Sequence, residues 1–188
     1  MGNPKMIFTE TKLHGAFVIE LEPLTDLRGS FMRTYCKKEF EKIGNTEEFV
    51  QHNHSVNTRK GTVRGMHFQH PPNAEVKLIR CISGSVFDVL VDLREASPTF
   101  LQWFGVELSA TNLRMIYVPP GVAHGFQTME DNSQLLYQHT RYYTPSSEAG
   151  IRYDDPRVGV QWPLPVCIIS DKDKTYPLLK STYKGILL

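Results

Sequence analysis

Gly61-Thr-Val-Arg-Gly-Met-His67-Phe-Gln-His70 reads as an extended segment broken by two glycines. Val63, Met66 and Phe68 favour a strand, and glycine at 61 and 65 lets the backbone bend or approach a ligand closely. Moving outward, the same alternation of strand and turn recurs. Residues 49–55 precede it; residues 76–83, 85–92, 100–108, 113–118, 125–129 and 134–143 follow. The breaks are Pro71-Pro72-Asn73, Ser83-Gly84, Ala96-Ser97-Pro98, Ala110-Thr111-Asn112 and Pro119-Pro120-Gly121. Many short strands with frequent Gly and Pro turns predict an all-β sandwich or barrel. Upstream, residues 16–21 and 30–35 read as strands on either side of the turn Asp26-Leu-Arg28-Gly29. Residues 37–43, with Phe40 and Ile43 three apart and Gly44 as a stop, predict a short helix. Residues 1–10 are expected to be a flexible arm, and the tail after Pro145 to be irregular structure wrapping the barrel.

The chain has 188 residues, 40% hydrophobic and 22% charged, enough for one domain with a sizeable core. With 21 basic and 20 acidic residues, nothing in the balance predicts attraction to nucleic acid or a membrane, so any anion site must be local. Cys36, Cys81 and Cys167 are widely spaced and odd in number, which argues against a disulfide framework and for a reducing cytoplasm. No apolar run approaches the roughly 18 residues of a membrane helix, and no signal peptide is read at the start.

Within the quoted stretch, Arg64 and His67 set a cation able to hold an anion beside a base that titrates near neutrality. The plain alternative is a structural histidine and a surface arginine. In Ser85–Asp92, strand alternation places Asp88 with Val86, Leu90 and Asp92 opposite Phe87, Val89 and Val91. Asp88 then either lies buried with a partner or, if the face is misread, in solvent. Lys77 poses the same question among Val76, Leu78 and Ile79. Tyr137 and His139 share a face, with Gln138 on the other. Taken together, a histidine base, a lysine and a phenol suit proton transfer at a carbon beside a carbonyl. The histidine abstracts, the lysine holds the enolate oxygen and the tyrosine protonates the far face.

Pro119-Pro120-Gly121-Val-Ala-His124 resembles the second half of the cupin signature, with His67 where the first half begins. A metal cupin using His67, His70, Glu75 and His124 is the alternative reading. It is incomplete, because Gln69 stands at the expected second histidine and His70 is at the wrong parity to share a face with His67.

A larger resemblance covers residues 11–179. Arg64-Gly-Met-His67-Phe-Gln69, Glu75-Val-Lys77-Leu-Ile-Arg80, Val86-Phe-Asp88-Val, Ser97-Pro-Thr-Phe100, Pro120-Gly-Val-Ala-His124-Gly-Phe126, Leu136-Tyr137, Tyr142-Tyr143 and Ser170-Asp-Lys172-Asp173 occur in the order of the dTDP-4-dehydrorhamnose 3,5-epimerase family. The resemblance implies a cupin-type jelly roll with one or two short helices, acting as a cytoplasmic homodimer without metal or other cofactor. It implies a nucleotide-sugar substrate, dTDP-4-dehydro-6-deoxy-D-glucose, epimerised at C3 and C5 for polysaccharide or deoxysugar synthesis. His67 would be the base oriented by Asp173, Lys77 the enolate stabiliser and Tyr137 the acid; the alternative for Tyr137 is a core tyrosine. Asp88 and His124 would floor the barrel. Arg28, Arg64 and Lys172 would meet the diphosphate, and Gln51, His52, Asn53, Tyr143 and Glu148 the nucleotide and sugar. The sequence departs from the family pattern at Arg33, where a base-recognising glutamate is usual, at His52 for Asp, and at Gln138 for Lys or Arg. These departures put the nucleotide in question more than the chemistry, and leave a C3-only or C5-only epimerase of another nucleotide sugar as an alternative. The strands of residues 11–35 are expected to pair across a subunit boundary.

Overall fold

The computed structural model describes residues 4–188. In chain order the strands are β1 (Lys5–Glu10), β2 (Phe17–Glu22), β3 (Leu24–Asp26), β4 (Gly29–Phe31), β5 (Gln51–Asn57), β6 (Val63–Gln69), β7 (Lys77–Ser83), β8 (Ser85–Asp92), β9 (Trp103–Ser109), β10 (Met115–Val118), β11 (Val122–Thr128), β12 (Ser133–His139) and β13 (Glu148–Gly150). Two short helices, α1 (Lys37–Phe40) and α2 (Asp171–Thr175), complete the set, with a 3₁₀ turn at Glu41–Ile43. One sheet runs β1-β2-β10-β7-β12-β5 and faces a second running β13-β6-β11-β8-β9. All pairings in both sheets are antiparallel, the layered arrangement of a jelly roll.

Alternation along the strands builds three apolar layers. Leu13, Ile79, Val86, Leu90, Phe126 and Leu135 meet between the sheets. Outside the six-stranded sheet, Ile19, Leu78, Met115 and Tyr117 are covered by residues 32–49, with Phe40 fully buried. Outside the five-stranded sheet, Met66, Val89 and Val91 lie under the C-terminal tail through Ile151, Trp162, Tyr183 and Ile186. The five-stranded sheet is therefore coated on both faces, which is why Ser85–Asp92 reads as nearly continuous apolar chain. The tail wraps the barrel as expected, adding only β13 and α2.

Three expectations are corrected. Lys5–Glu10 is not a flexible arm but a full strand, paired along its length with Phe17–Glu22; Met6 is buried and Phe8 meets Phe40 edge-on at 5.2 Å. Residues 1–3 lie outside the described residues. The strand expected over 30–35 stops at Phe31, closing a small hairpin with β3, because Met32 and Tyr35 turn inward onto the outer apolar layer. The strand expected over 125–129 begins at Val122, which brings His124 into the ladder directly opposite His67.

Gly65 and Gly125 allow that ladder to form. A Cβ on Gly65, whose φ is +127°, would lie 2.5 Å from the Gly125 Cα. The close approach that glycine permits here is between two backbones, not between backbone and ligand. Gly65→Ala should lower stability by about 2 kcal/mol or more through overpacking and strain. Urea unfolding of the variant beside wild type checks this, and an unchanged midpoint would show that the strands can separate without loss.

Candidate active site

The two sheets enclose an open cavity of about 260 Å³ lined from both sides. From the five-stranded sheet come His67 on β6 and His124 on β11; from the six-stranded sheet come Lys77 on β7 and Tyr137 on β12. Arg64, Gln51, Asn53, Tyr143 and Glu148 also reach it. Arg64 and His67 are shared with a second cleft that adds Lys172 and Asp173.

His67 is held from behind. Its Nε2 lies 2.7 Å from Asp173 Oδ1, and the Gly65 N–H donates to Oδ2 at 3.2 Å. Asp173 sits in the first turn of α2, which Ser170 caps by accepting from the Asp173 N–H at 3.1 Å. Burial raises the Asp173 carboxyl, but the hydrogen bond and charge of His67 and the Gly65 N–H outweigh it and hold it below its ordinary value.

Lys77 is buried, donates to the His67 carbonyl at 3.3 Å and pairs with Glu75 at 2.7 Å. Gln69 steadies that glutamate by donating at 2.8 Å. Deeper still, Asp88 is fully buried and meets His124 Nε2 at 2.8 Å, so the solvent placement of Asp88 is ruled out. Burial pushes the Asp88 carboxyl up against the pull of His124.

Tyr137 lies between two histidines, edge-on to His124 at 6.1 Å and stacked on His139 at 6.2 Å. Its hydroxyl reaches Ser55 Oγ at 3.4 Å. Burial raises the phenol far above its usual value, so it resists ionisation. His139 is pushed down to about 4 by burial and the nearby Lys77 charge.

At the mouth, Tyr143 donates to Glu148 at 2.8 Å and Lys172 pairs with Glu148 at 2.5 Å. Burial raises Glu148, while its bonds from Lys172 and Tyr143 bring it below the usual range.

Three sequence candidates lie away from this cavity. Arg28 is exposed in the β3–β4 turn on Asp26, and Arg33 pairs with Glu39 at 2.5 Å. His52 sits opposite Gln138 in the β5–β12 register, on the outward face, because Gln51, Asn53 and Ser55 take the inward one. All three departures from the family pattern, Arg33, His52 and Gln138, are thus outside the pocket. The four residues of the metal-cupin alternative do not converge. His67, Glu75 and His124 each face another partner, and His70 packs on Phe68. Among the described residues no three His, Cys, Asp or Glu side chains form a metal-binding group.

Ser55 and Arg141 line the cavity without having been singled out in the sequence. For Ser55 the signal was present, since it continues the alternation of Gln51 and Asn53.

A family model described as dTDP-4-dehydrorhamnose 3,5-epimerase matches residues 10–181. The enzyme of that name from Salmonella typhimurium is 46% identical over 178 residues, covering 93% of this chain and 96% of that one. The crystal structure of the Bacillus anthracis enzyme with TDP and PPi bound superposes with a TM-score of 0.89 at 42% identity, covering 93% of this chain and 100% of that one. The Legionella pneumophila enzyme in complex with dTDP-4-keto-L-rhamnose gives 0.87 at 39% identity, covering 93% of each.

The His139 shift has a measurable consequence. Unfolded, the imidazole binds its proton near pH 6.5; folded, near 4. Between those values the unfolded chain holds more protons, so wild-type stability falls as pH drops through this window. His139→Asn, which does not titrate, should show any stability deficit at pH 7 shrink as pH falls to 4. Urea midpoints at both pH values test this, and a difference independent of pH would contradict it.

Proposed function

Because the chain belongs to the dTDP-4-dehydrorhamnose 3,5-epimerase family, we propose that it converts dTDP-4-dehydro-6-deoxy-D-glucose to dTDP-4-dehydro-L-rhamnose by proton transfer beside the C4 ketone. The observation that carries the mechanism is the position of His67 and Tyr137 on opposite sheets of one cavity, with Lys77 reaching into it. His67 gives its Nε2–H to Asp173, which leaves the Nδ1 lone pair to take the proton from C3 or C5. The carboxylate fixes this tautomer and stabilises the imidazolium that forms. Lys77 neutralises the charge that develops on the C4 oxygen. Tyr137, a phenol protonated at neutral pH, delivers a proton to the opposite face of the planar carbon. Asp88 and His124 form the polar floor, and the scheme uses no cofactor.

Arg64 and Lys172 bind the diphosphate in this reading, and Gln51, Asn53, Tyr143 and Glu148 line the nucleotide and sugar. Arg28 joins them from a second subunit. That assignment is supported by the β3–β4 hairpin, where the Leu27, Arg28 and Phe31 side chains are largely exposed. A two-stranded ribbon with uncovered apolar side chains needs a surface to pack on, and the neighbouring subunit of a homodimer supplies one. Among the described residues no helix is long and apolar enough to cross a membrane, and the three cysteines are unpaired; both fit the cytoplasmic setting we propose.

In D₂O with dTDP-4-dehydro-6-deoxy-D-glucose, deuterium should enter both C3 and C5, as read by NMR. His67→Ala should slow this at least about 100-fold. Label at one carbon alone would mark a single-site epimerase, and no label would reject the reaction. Light scattering should give twice the 21.5 kDa chain mass at micromolar concentration. A monomer would remove the second-subunit role of Arg28.

A further inference from the structure

The Tyr137 hydroxyl ends a chain of hydrogen bonds whose links from Arg64 through Asn57 to Ser55 run in one direction fixed by chemistry. Arg64 Nε, which can only donate, lies 2.7 Å from Asn57 Oδ1. The Ser133 carbonyl, which can only accept, receives Asn57 Nδ2 at 3.1 Å. These two contacts, made by opposite ends of one amide, fix its orientation independently. The same Nδ2 also donates to Ser55 Oγ at 3.4 Å. Ser55 Oγ is thus an acceptor from Asn57, and its own hydrogen is free for the Tyr137 oxygen 3.4 Å away. If Ser55 donates to the phenol oxygen, the Tyr137 hydrogen must point elsewhere, and the open direction is the cavity that both residues line.

We propose that Asn57 and Ser55 are positioning residues that turn the Tyr137 hydroxyl hydrogen toward the substrate and supply a donor to its oxygen as the proton leaves. This rests on the acid role of Tyr137 in the reaction above. A phenol shielded from water resists becoming a phenolate, and Ser55 is a hydrogen-bond partner of its oxygen. The two links at 3.4 Å are long, as catalytic hydrogen bonds often are without substrate, and they shorten when the cavity fills. Asn57 is buried and Ser55 only partly so, which makes Asn57 the anchor and Ser55 the working contact. Because Arg64 both starts the chain and borders the two clefts, a phosphate bound there touches the same network that aims the acid.

The test separates proton removal from proton delivery. In Ser55→Ala, deuterium should still enter the sugar through His67, while formation of inverted product falls about tenfold, the worth of one hydrogen bond to a developing charge. The loss should appear in kcat with KM little changed. Ser55→Thr, which restores the hydroxyl, should recover it. The Ser55→Ala, Asn57→Ala double variant should be no slower than the slower single, since both interrupt one chain. Wild-type inversion in Ser55→Ala, or equal loss of exchange and inversion, would overturn the proposal. An activity-independent measurement is the ¹³Cζ chemical shift of labelled Tyr137. It should move in Ser55→Ala and return in Ser55→Thr, and an unmoved signal would also overturn the chain. If the wild type fails to exchange, the reaction assignment falls instead, and the ¹³Cζ shift still decides whether the hydrogen-bond chain exists.

Discussion

The hydrogen bond between His67 and Asp173 joins residues 106 apart in sequence, and both site and shell depend on it. Asp173 is buried and would be costly there without compensation. Compensation comes from His67 and from the Gly65 N–H, both on the strand whose outer face the tail covers. The tail must therefore dock on β6 before the imidazole has its partner. Gly150 makes room for that docking, and Gly65 for the ladder to β11 beside it. A Cβ at 150 would come 2.4 Å from the Tyr176 ring, and one at 65 would meet the neighbouring strand. The tail that supplies Asp173 to His67 is the same one that covers the five-stranded sheet.

The rest of the cavity follows the same rule of local neutralisation. Lys77 answers Glu75, His124 answers Asp88, and Lys172 answers Glu148. A chain with a net charge of +1 can set these ionisable groups in or under a deep cleft because each of the three pairs is matched where it stands. One oxygen breaks the pattern, since Asp88 Oδ1 is buried without a partner. Burial raises the Asp88 carboxyl against the pull of His124. Glu75 balances the Lys77 charge without filling the cavity.

Alternation with period two made much of this legible in the sequence. It placed Asp88 among Val86 and Leu90 on the inner face and put Tyr137 with His139, because both strands are covered on the inside by the opposing sheet. It also held the answer for β5, where Gln51, Asn53 and Ser55 face inward; motif resemblance favoured His52, which the pleat turns outward. Lys5–Glu10 does not read as a strand because Ile7, on its other face, is apolar yet exposed, which blurs the alternation of a short edge strand. The reach of Asp173 to His67 has no local signature at all. No pattern within residues 171–175 specifies which strand the helix will meet, and only the resemblance pointed there.

Inversion at a carbon beside a ketone demands a base and an acid on opposite faces of a planar intermediate. A single strand cannot supply both, since its inward side chains approach from one side. Two facing sheets about 10 Å apart leave room for a sugar ring between groups rooted in different layers. His67 belongs to the five-stranded layer; Lys77 and Tyr137 belong to the six-stranded one. Lys77 enters from the start of β7 and bonds the His67 carbonyl, so it bridges the layers at the level where a ketone oxygen would lie between base and acid. A cupin usually spends these inward positions on gathering ligands to one point. In this chain the same positions are divided between two walls, and that division is what a two-sided proton transfer requires.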